Sequence, residues 1–575
     1  MLDTPHAAPG AARTHAASRA LARMSRGRWF ALAAAGVALA TCAYLFSTEP
    51  RYTGLHAASV TMALAALAAA LARRLLLAAL GVAAMVGVVA AVAEIKRART
   101  DFVLHAYELF EPLRWSFSPL EIVRDHPELS AVFAVSLLLL LAGPLALRRL
   151  EPRNARRLPA LLALAAFAAL GGWASHMKRE PRQTQYTWED VHLSSFYSSW
   201  PETLQALSRG LFEVGPPAGA LAFDPRPACA PSSKPPHVIL IHQESVTPPT
   251  GFPGLAYDPS VLPFFASHDG RRHALRVETY GGASWLTEFS VLTGMSSRFF
   301  GGLRNFVQVY MAGRTDDALP AAMARCGYRN VMFYPYVKGF MGSGRFFESV
   351  GFPEIFDMKA QGAPTNMEPD SVYFANAMDE IARHVAGSSA PLFAFVQTMS
   401  AHWPYDVTMW PERAVPGGPG AHPEMSEYLR RLAMGNIDQA WLRAELARRF
   451  PQERFLVVQY GDHQPLASRI YFGFSTQEAE EILSALPAAS PAYLTFYSAN
   501  GVNYAPPPLP RHETVDAPYL GAILLQQAGL PLPDSWRERL RLMDACEGAY
   551  AACTDRALVL AFHRRLVDSG LVRAR

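Results

Sequence analysis

Carboxylate and imidazole side chains follow three short apolar runs in this sequence. The runs and the residues after them are 237–241 before Glu244, 392–396 before His402, and 455–458 before Asp462 and His463. In an open α/β sheet, buried parallel strands are continuous apolar runs, and ligands bind beyond their carboxyl ends. We therefore expect these side chains to converge. Two carboxylates with imidazole suit a divalent cation such as zinc or manganese better than a soft copper or iron–sulfur centre.

A hydroxyl group lies where a helix is predicted to begin, at Ser284 after Gly281-Gly282-Ala283. Paired glycines permit a close approach of backbone to ligand, and a helix N-terminus favours a bound phosphate. A serine hydroxyl is a poor nucleophile unless a base or a metal lowers its pKa, and the predicted cation would do this. The alternative is that Ser284 only caps the helix.

The elements that must position these residues alternate between strand and helix from residue 237 onward. The predicted elements besides the three runs are a strand at 331–334, helices at 370–385 and 424–449, a helix from near 284, and helices after 515. Such alternation predicts a mainly parallel sheet covered by helices on both faces.

The first 180 residues or so are rich in alanine and leucine and contain several long apolar stretches. They are residues 29–47, 55–72, 75–93, 129–147 and 159–175. Each is close to the ~20 residues that a helix needs to cross the hydrocarbon core. Soluble buried helices are the alternative, but five such stretches in series predict an α-helical membrane domain with five transmembrane helices.

Clusters of arginine predict how the spans are oriented. They occur at residues 13–28, 73–74 and 148–157, and these regions are expected to be cytoplasmic. Lys96, Arg97 and Arg99 on the opposite side are an exception. The predicted organisation is a cytoplasmic N-terminus (1–28), a transmembrane domain (29–175), a linker (176–236) and an extracytoplasmic domain (237–575) on the inner (cytoplasmic) membrane.

Charge and cysteine content narrow the function further. The net charge of +4 and the absence of a basic, aromatic-rich stripe exclude nucleic acid as a partner. The predicted spans have almost no internal charged residues of the kind that an ion pathway needs, which argues against a transporter. In an oxidising compartment Cys546 and Cys553 are the expected local disulfide pair; Cys229 and Cys326 are able to pair as well, but the sequence does not establish the connectivity.

Four motifs together resemble a known family. They are Glu244 after the first run, Gly282-Ala-Ser284-Trp-Leu-Thr-Glu-Phe289, Ser400-Ala-His402-Trp-Pro-Tyr405 and Gly461-Asp462-His463-Gln-Pro465. They are similar to the motifs of the lipoteichoic acid synthase and phosphoglycerol transferase group, in the sulfatase-like part of the alkaline phosphatase superfamily. Phosphoethanolamine transferases are more distant relatives. The resemblance covers about residues 237–530, and five spans before an exported catalytic domain fit it.

The resemblance implies a fold and a set of roles. The fold is an α/β alkaline-phosphatase or sulfatase-like catalytic domain, and one divalent metal ion, Mn²⁺ or Zn²⁺, is its cofactor. The implied metal ligands are Glu244, Ser284, Asp462 and His463. Ser284 is also the implied nucleophile, with Thr287 as its rival because relatives often carry threonine. His402 would contact the substrate phosphate or protonate the leaving group, and Arg345 resembles the family's substrate-binding arginine, although Gly344 stands where the family commonly has tryptophan.

The implied reaction is a two-step transfer in the bilayer. Ser284 attacks the phosphodiester of a membrane phospholipid, diacylglycerol leaves, and an acceptor hydroxyl on an envelope glycan or polymer takes the phosphoglycerol or phosphoethanolamine headgroup. Hydrolysis is the alternative, as in a sulfatase-like phosphodiesterase or sulfuric ester hydrolase. Formylglycine chemistry is disfavoured because the segment 284–288 lacks the Pro and Arg of a sulfatase motif. A non-catalytic envelope-assembly protein is the other alternative, and it predicts loss of the metal ligands.

Overall fold

A computed structural model shows two compact units, Met1–Pro201 and Glu202–Arg575. The described residues are 10–49, 51–100, 103–110, 119–177, 193–217, 219, 222–225, 227–231, 233–413, 415, 422–475 and 486–575. Residues 1–9 of the predicted N-terminal segment and 178–192 of the predicted linker therefore lie outside them. The predicted domain boundaries remain predictions.

The first unit is helical. Its longer helices are Gly10–Thr48, Arg51–Ala72, Leu75–Thr100, Pro127–Leu150 and Arg157–Met177, and its shorter ones are Pro119–Asp125, Leu193–Ser198 and Trp200–Arg209, the last of which extends into the second unit. Among the described residues, five of these helices are long and apolar enough to cross a membrane. They coincide with the five predicted spans. The fold class predicted for this part is confirmed, and the chain is a multi-pass membrane protein.

Lys96 and Arg97 are positively charged residues on the side of the membrane where the orientation predicts few, and both are paired with carboxylates. The ammonium group of Lys96 is buried, 2.6 Å from a carboxylate oxygen of Glu108, and it also donates to the carbonyl oxygen of Val103. Arg97 lies 3.2 Å from Glu94 on the same helix. Because both positive charges are paired with carboxylates, neither acts as a free charge opposing the predicted orientation.

The second unit contains one eight-stranded sheet. The strands are β1 His237–Gln243, β2 His273–Arg276, β3 Arg329–Phe333, β4 Glu354–Phe356, β5 Leu392–Gln397, β6 Phe455–Gly461, β7 Leu494–Val502 and β8 Thr514–Asp516. Their order is β4-β3-β5-β1-β6-β7-β2-β8. Only β7 runs against its neighbours β6 and β2; the other pairs are parallel. A mainly parallel sheet was predicted, and it is confirmed.

Helices cover both faces of this sheet, which is why β1, β5 and β6 are buried along their whole length. The helices are Trp285–Thr293, Val307–Met311, Leu319–Arg325, Ser343–Val350, Asp370–Gly387, Pro423–Arg449, Leu520–Gln527, Asp534–Ala545 and Arg556–Asp568. Ile239 and Ile241 of β1 pack in one core with the helices Asp370–Gly387 and Pro423–Arg449. Alternation along the strand turns His242 to the opposite face.

This unit contains two disulfide bonds, one between cysteines far apart in the sequence and one between cysteines close together. Cys229 is bonded to Cys326 across a separation of 97 residues, and Cys546 is bonded to Cys553 across 7 residues. The predicted local pair Cys546–Cys553 is confirmed, and the structure pairs Cys229 with Cys326, which the sequence left open. The first bridge ties the segment before β1 to the end of the helix before β3.

We expect the two bridges to stabilise the domain unequally. Loop-closure entropy gives about 4.7 kcal/mol for a loop near 100 residues and about 2.5 kcal/mol for the short one. The double variant Cys229→Ala/Cys326→Ala should therefore lose about 2 kcal/mol more unfolding free energy than Cys546→Ala/Cys553→Ala. Denaturant unfolding of the two variants measures this difference. Equal losses would contradict the loop-length argument.

Candidate active site

Glu244 and Asp462 come from the carboxyl ends of neighbouring strands. Glu244 follows β1 directly, and Asp462 follows β6, which pairs with β1 through Gln243 and Gly461. Gly461 is required here because a Cβ at this position would collide with the carbonyl oxygen of Val246. The close approach of the two chains brings both carboxylates to one point at the edge of the sheet, as the apolar runs predicted.

The Asp462 carboxylate is held by backbone groups. Its Oδ1 atom accepts hydrogen bonds from the backbone N–H groups of Ser245 at 2.7 Å and His463 at 2.8 Å. Its Oδ2 atom is buried and has no hydrogen-bond partner among the described residues. One oxygen therefore fixes the side chain, and the other is presented to the cluster.

Ser284 contacts the cluster rather than capping its helix. It stands at the N-terminus of the helix Trp285–Thr293, but its side chain makes no capping hydrogen bond. Its hydroxyl instead donates to Oε2 of Glu244 at 2.9 Å, and it lies 3.4 Å from Nε2 of His463. The preceding Ala283 has a φ of 61°, in the left-handed region that costs a non-glycine residue energy. This turn presents the hydroxyl to the carboxylate.

The four predicted ligand side chains lie at distances that suit one small cation. His463 Nε2 is 3.2 Å from Oε1 of Glu244 and 3.2 Å from Oδ2 of Asp462. With the two Ser284 distances, the neighbouring donor atoms are 2.9–3.4 Å apart. A tetrahedral site with bonds of ~2.0–2.1 Å has donor atoms ~3.3 Å apart. The residues therefore fit a divalent metal ion.

The electrostatics of the cluster agree with this fit. Burial opposes a charge on His463, but Asp462 and Glu244 outweigh it and raise the pKa of His463 to about 9. Burial also opposes the charge of Glu244, yet His463 and then His402 hold the pKa of its carboxyl below the usual range. Two buried carboxylates thus create a field that stabilises positive charge, which is the field a divalent cation needs.

His242 lies beside these ligands, although it was interpreted as a packing neighbour because the motifs of the family that this sequence resembles do not use it. Its Nε2 atom is 3.2 Å from Oδ2 of Asp462 and 4.0 Å from Oε2 of Glu244. The three residues form a group able to hold a metal ion. The signal was present in the sequence, because residues 242 and 244 are two apart on one strand face.

A buried polar chain continues from His242 into the helix after Ser284. His242 Nδ1 is 2.9 Å from the Tyr460 hydroxyl and 3.8 Å from Oε1 of Glu288. The Gln308 amide donates to Oε2 of Glu288 at 3.0 Å, and the Ser343 hydroxyl donates to Gln308 at 2.7 Å. Burial raises the pKa of Glu288 to about 7, against the opposing effect of His242. Sequence analysis assigned no role to Glu288 or Gln308.

Arg345 and His402 come from two further elements of the domain. Arg345 is half-buried in the first turn of the helix Ser343–Val350, two residues after Ser343. His402 is half-buried after β5, where its ring contacts the carbonyl oxygen of Trp403, and its charge acts on Glu244. Thr287, the rival hydroxyl, is fully buried and donates to the backbone oxygen of Asp462 at 2.8 Å.

This part of the chain matches a known family. Residues 236–481 match the family model named Sulfatase. They form a sulfatase-like domain. The predicted resemblance to sulfatase-like proteins and the predicted fold class are therefore confirmed for this domain. The match includes all six predicted site residues.

One curated relative and several solved structures are similar to this chain. An uncharacterized protein of Haemophilus influenzae is 24% identical over 318 residues, 52% of this chain and 52% of that protein. The chain thus spans about half the length of this relative. The sulfatase-like domain is also similar to the Streptococcus pyogenes phosphoglycerol transferase GacH in complex with sn-glycerol-1-phosphate, at 15% identity and a TM-score of 0.46, covering 60% of this chain and 88% of that one.

Two further solved structures show weaker similarity. The lipoteichoic acid synthase LtaP from Listeria monocytogenes has 14% identity and a TM-score of 0.39, with 55% of this chain and 76% of that chain covered. The phosphoethanolamine transferase EptA from Neisseria meningitidis has 11% identity and a TM-score of 0.39, with 78% and 84% covered.

Proposed function

We propose that this protein is a metal-dependent transferase that moves a phosphoglycerol or phosphoethanolamine headgroup from a membrane phospholipid to an envelope glycan or polymer. The observation that carries the proposal is the Ser284 hydroxyl, 2.9 Å from Glu244 and 3.4 Å from His463, at the start of a helix. A sulfatase-like fold supports phosphoryl or sulfuryl chemistry. Five apolar helices favour a lipid over a soluble ester as the donor.

Each residue of the cluster has a defined part in this reaction. Glu244, Ser284, Asp462 and His463 would hold one divalent ion, zinc or manganese. Such an ion supplies Lewis acidity, which lowers the pKa of a hydroxyl and offsets charge on a phosphate. Glu244 accepts the hydrogen bond of Ser284, so the oxygen is oriented for attack at phosphorus before substrate binds.

The remaining polar residues act on the phosphate and on the leaving group. The planar guanidinium of Arg345 is suited to two phosphate oxygens at once. The imidazole of His402 would give a proton to the departing diacylglycerol oxygen and take one from the acceptor hydroxyl in the second step. A proposed extracytoplasmic location of the domain on the cytoplasmic (inner) membrane would bring this chemistry beside a donor that cannot leave the bilayer.

Intact mass spectrometry of the full-length protein tests the proposal. The protein is incubated with zinc or manganese and with either phosphatidylglycerol or phosphatidylethanolamine, without an acceptor, while diacylglycerol is assayed in parallel. We expect one lipid to give both diacylglycerol and a protein adduct with the mass of its phosphorylated headgroup. Release of diacylglycerol without an adduct in any incubation would indicate direct hydrolysis. Absence of both diacylglycerol and adduct would exclude these two phospholipids as donors.

Glu288 is expected to position the site without touching substrate. Glu288→Leu removes the carboxylate beside His242 and leaves the Gln308 amide with only its longer hydrogen bond, 3.3 Å to the Trp285 carbonyl oxygen. Because such supporting residues contribute about 10–100-fold, we expect metal retention and activity to fall by that amount. Metal content after dialysis is the measurement. Thr293→Val is the matched control, since Thr293 is buried in the same helix and its hydroxyl bonds only to Phe289; an equal loss there would contradict this role.

A further inference from the structure

An open surface cavity with a mixed polar and apolar lining lies on the sulfatase-like domain beside the helix Pro423–Arg449. Its volume is about 490 Å³, within the range of small-ligand sites. The lining residues include Arg443, Gln439, Asn436 and Asn503, and none of the lining residues carries a carboxylate. The only charge on its wall is therefore positive.

Arg443 differs from the other arginines of its helix. Arg430 and Arg431 pair with Glu427, and Arg448 and Arg449 pair with Glu445. Arg443 makes no ion pair or side-chain hydrogen bond with any residue that the structure describes, and it is half-buried in the cavity wall. Burial lowers its pKa, with no carboxylate to oppose the effect. A partly desolvated guanidinium without an anion is costly unless a ligand supplies one.

Gln439 gives a second, independent indication of a ligand. The residue is 4% exposed and lines the same cavity, and its side-chain amide makes no hydrogen bond in the described part of the chain. Because these amide atoms are not among the fully buried unsatisfied atoms, the small exposed part of Gln439 includes its polar end, which is open to a ligand in the cavity. One helical turn separates Gln439 from Arg443, so both face the cavity from one side of the helix. Asn436 extends this row and donates only weakly, to the Ser260 carbonyl oxygen at 3.4 Å.

The apolar residues that line the cavity limit the chemical class of its ligand. Phe264 and Val502 line the cavity with the alanines of the helix, so part of the ligand must be apolar or present C–H groups. Amides opposite such a surface suit hydroxyl groups, and the free guanidinium suits a phosphate or a carboxylate. We propose that this cavity, called here the Arg443 site, binds a phosphate- or carboxylate-bearing sugar or polyol.

The Arg443 site is distinct from the metal cluster. Arg431 donates to the carbonyl oxygen of His402, and Arg443 lies 12 residues farther along the same helix, which is ~18 Å. Val502, in the cavity wall, pairs with Phe455 at the start of β6, whereas Asp462 follows the end of that strand. The two sites are therefore at different ends of β6, and ligand binding at the Arg443 site is separate from the proposed transfer reaction.

Binding to the chelated, full-length Ser284→Ala protein tests this site without interference from the metal cluster. Glucose 6-phosphate, glucuronate and glucose are the probes, and calorimetry gives each affinity. We expect either or both anionic probes to bind, and glucose to bind more weakly than they do; which anion binds distinguishes phosphate from carboxylate recognition. Loss of a charged hydrogen-bond donor predicts about tenfold or greater weakening in Arg443→Gln.

Two further variants complete the test. Arg448→Gln is the matched control, because Arg448 is an exposed arginine of the same helix and pairs with Glu445. Ala444→Trp fills the cavity while keeping Arg443, and it should abolish binding. Unchanged affinity in Arg443→Gln or in Ala444→Trp, an equal loss in Arg448→Gln, or no preference for the anionic probes would each overturn the proposal. Thermal melting of every variant verifies that it is folded.

Discussion

Replacement of Ser284 with alanine is expected to lower the rate of diacylglycerol release by about 10⁴-fold or more and to abolish the headgroup adduct, because the variant lacks the attacking oxygen. The fold should be unaffected, since the hydroxyl makes no capping bond and the helix begins at Trp285 regardless of it. Release of diacylglycerol and the intact protein mass are the two measurements.

Thr287 provides the matched comparison for this experiment. Its hydroxyl is buried and bridges the Asp462 carbonyl oxygen and the Glu278 backbone N–H. We expect Thr287→Val to lose about 1–3 kcal/mol of stability, because two backbone groups lose their partner, while the adduct still forms on Ser284. An adduct that persists in Ser284→Ala and disappears in Thr287→Val would show that Thr287, and not Ser284, is the nucleophile.

The second large effect is expected from Asp462→Asn, which keeps the size of the side chain but replaces a carboxylate with an amide. The amide oxygen Oδ1 would still accept from the two backbone N–H groups, which leaves the NH₂ group facing the cluster in place of Oδ2. An amide is a much poorer ligand for zinc or manganese than a carboxylate. We expect bound metal, measured by elemental analysis, to fall to background and activity to fall by about 10³-fold or more.

Stability measurements separate this loss of metal from unfolding. A metal present at a thousand times its Kd stabilises the native state by about 4 kcal/mol, so chelation should lower the melting temperature of wild type but not of Asp462→Asn. Asp438→Asn is the control, because Asp438 pairs with Arg413 at 2.6 Å and accepts from the Ser371 N–H at 3.0 Å. It should lose stability and keep its metal. Loss of metal in Asp438→Asn, or retention in Asp462→Asn, would be inconsistent with the assigned ligands.

The sequence predicted those parts of the site that follow directly from a strand. Glu244, Asp462 and His463 each stand at the end of an apolar run, and parallel packing of such runs brings their ends together. Ser284 was open to two interpretations, because a serine at the start of a helix is also the usual cap. Only the direction of its side chain, toward Glu244, distinguishes them.

Other features of the site could not be predicted because they depend on side-chain contacts between distant segments. Gln308, in the helix Val307–Met311, forms a hydrogen bond with Glu288 in the helix Trp285–Thr293. Ser343, at the start of a third helix, forms a hydrogen bond with Gln308. No local pattern marks such contacts. The strands β2, β4, β7 and β8 were also missed. β2, β4 and β8 have three or four residues each and too little alternation to be recognised, whereas the nine-residue β7 was overlooked despite its length. The helices Leu193–Ser198 and Trp200–Arg209 occur in the segment predicted as a linker.

The position of β1 in the sheet has a consequence for the order in which the exported domain forms. β1 is the first strand of the domain in the sequence, but its two neighbours are β5 and β6, which begin at Leu392 and Phe455. In the proposed exported orientation, both hydrogen-bonding edges of this buried strand remain without their partners until about 150 to 220 further residues have emerged. Exposed strand edges of this kind promote aggregation. Glu244 then meets Asp462 only after about two thirds of residues 237–575 have emerged.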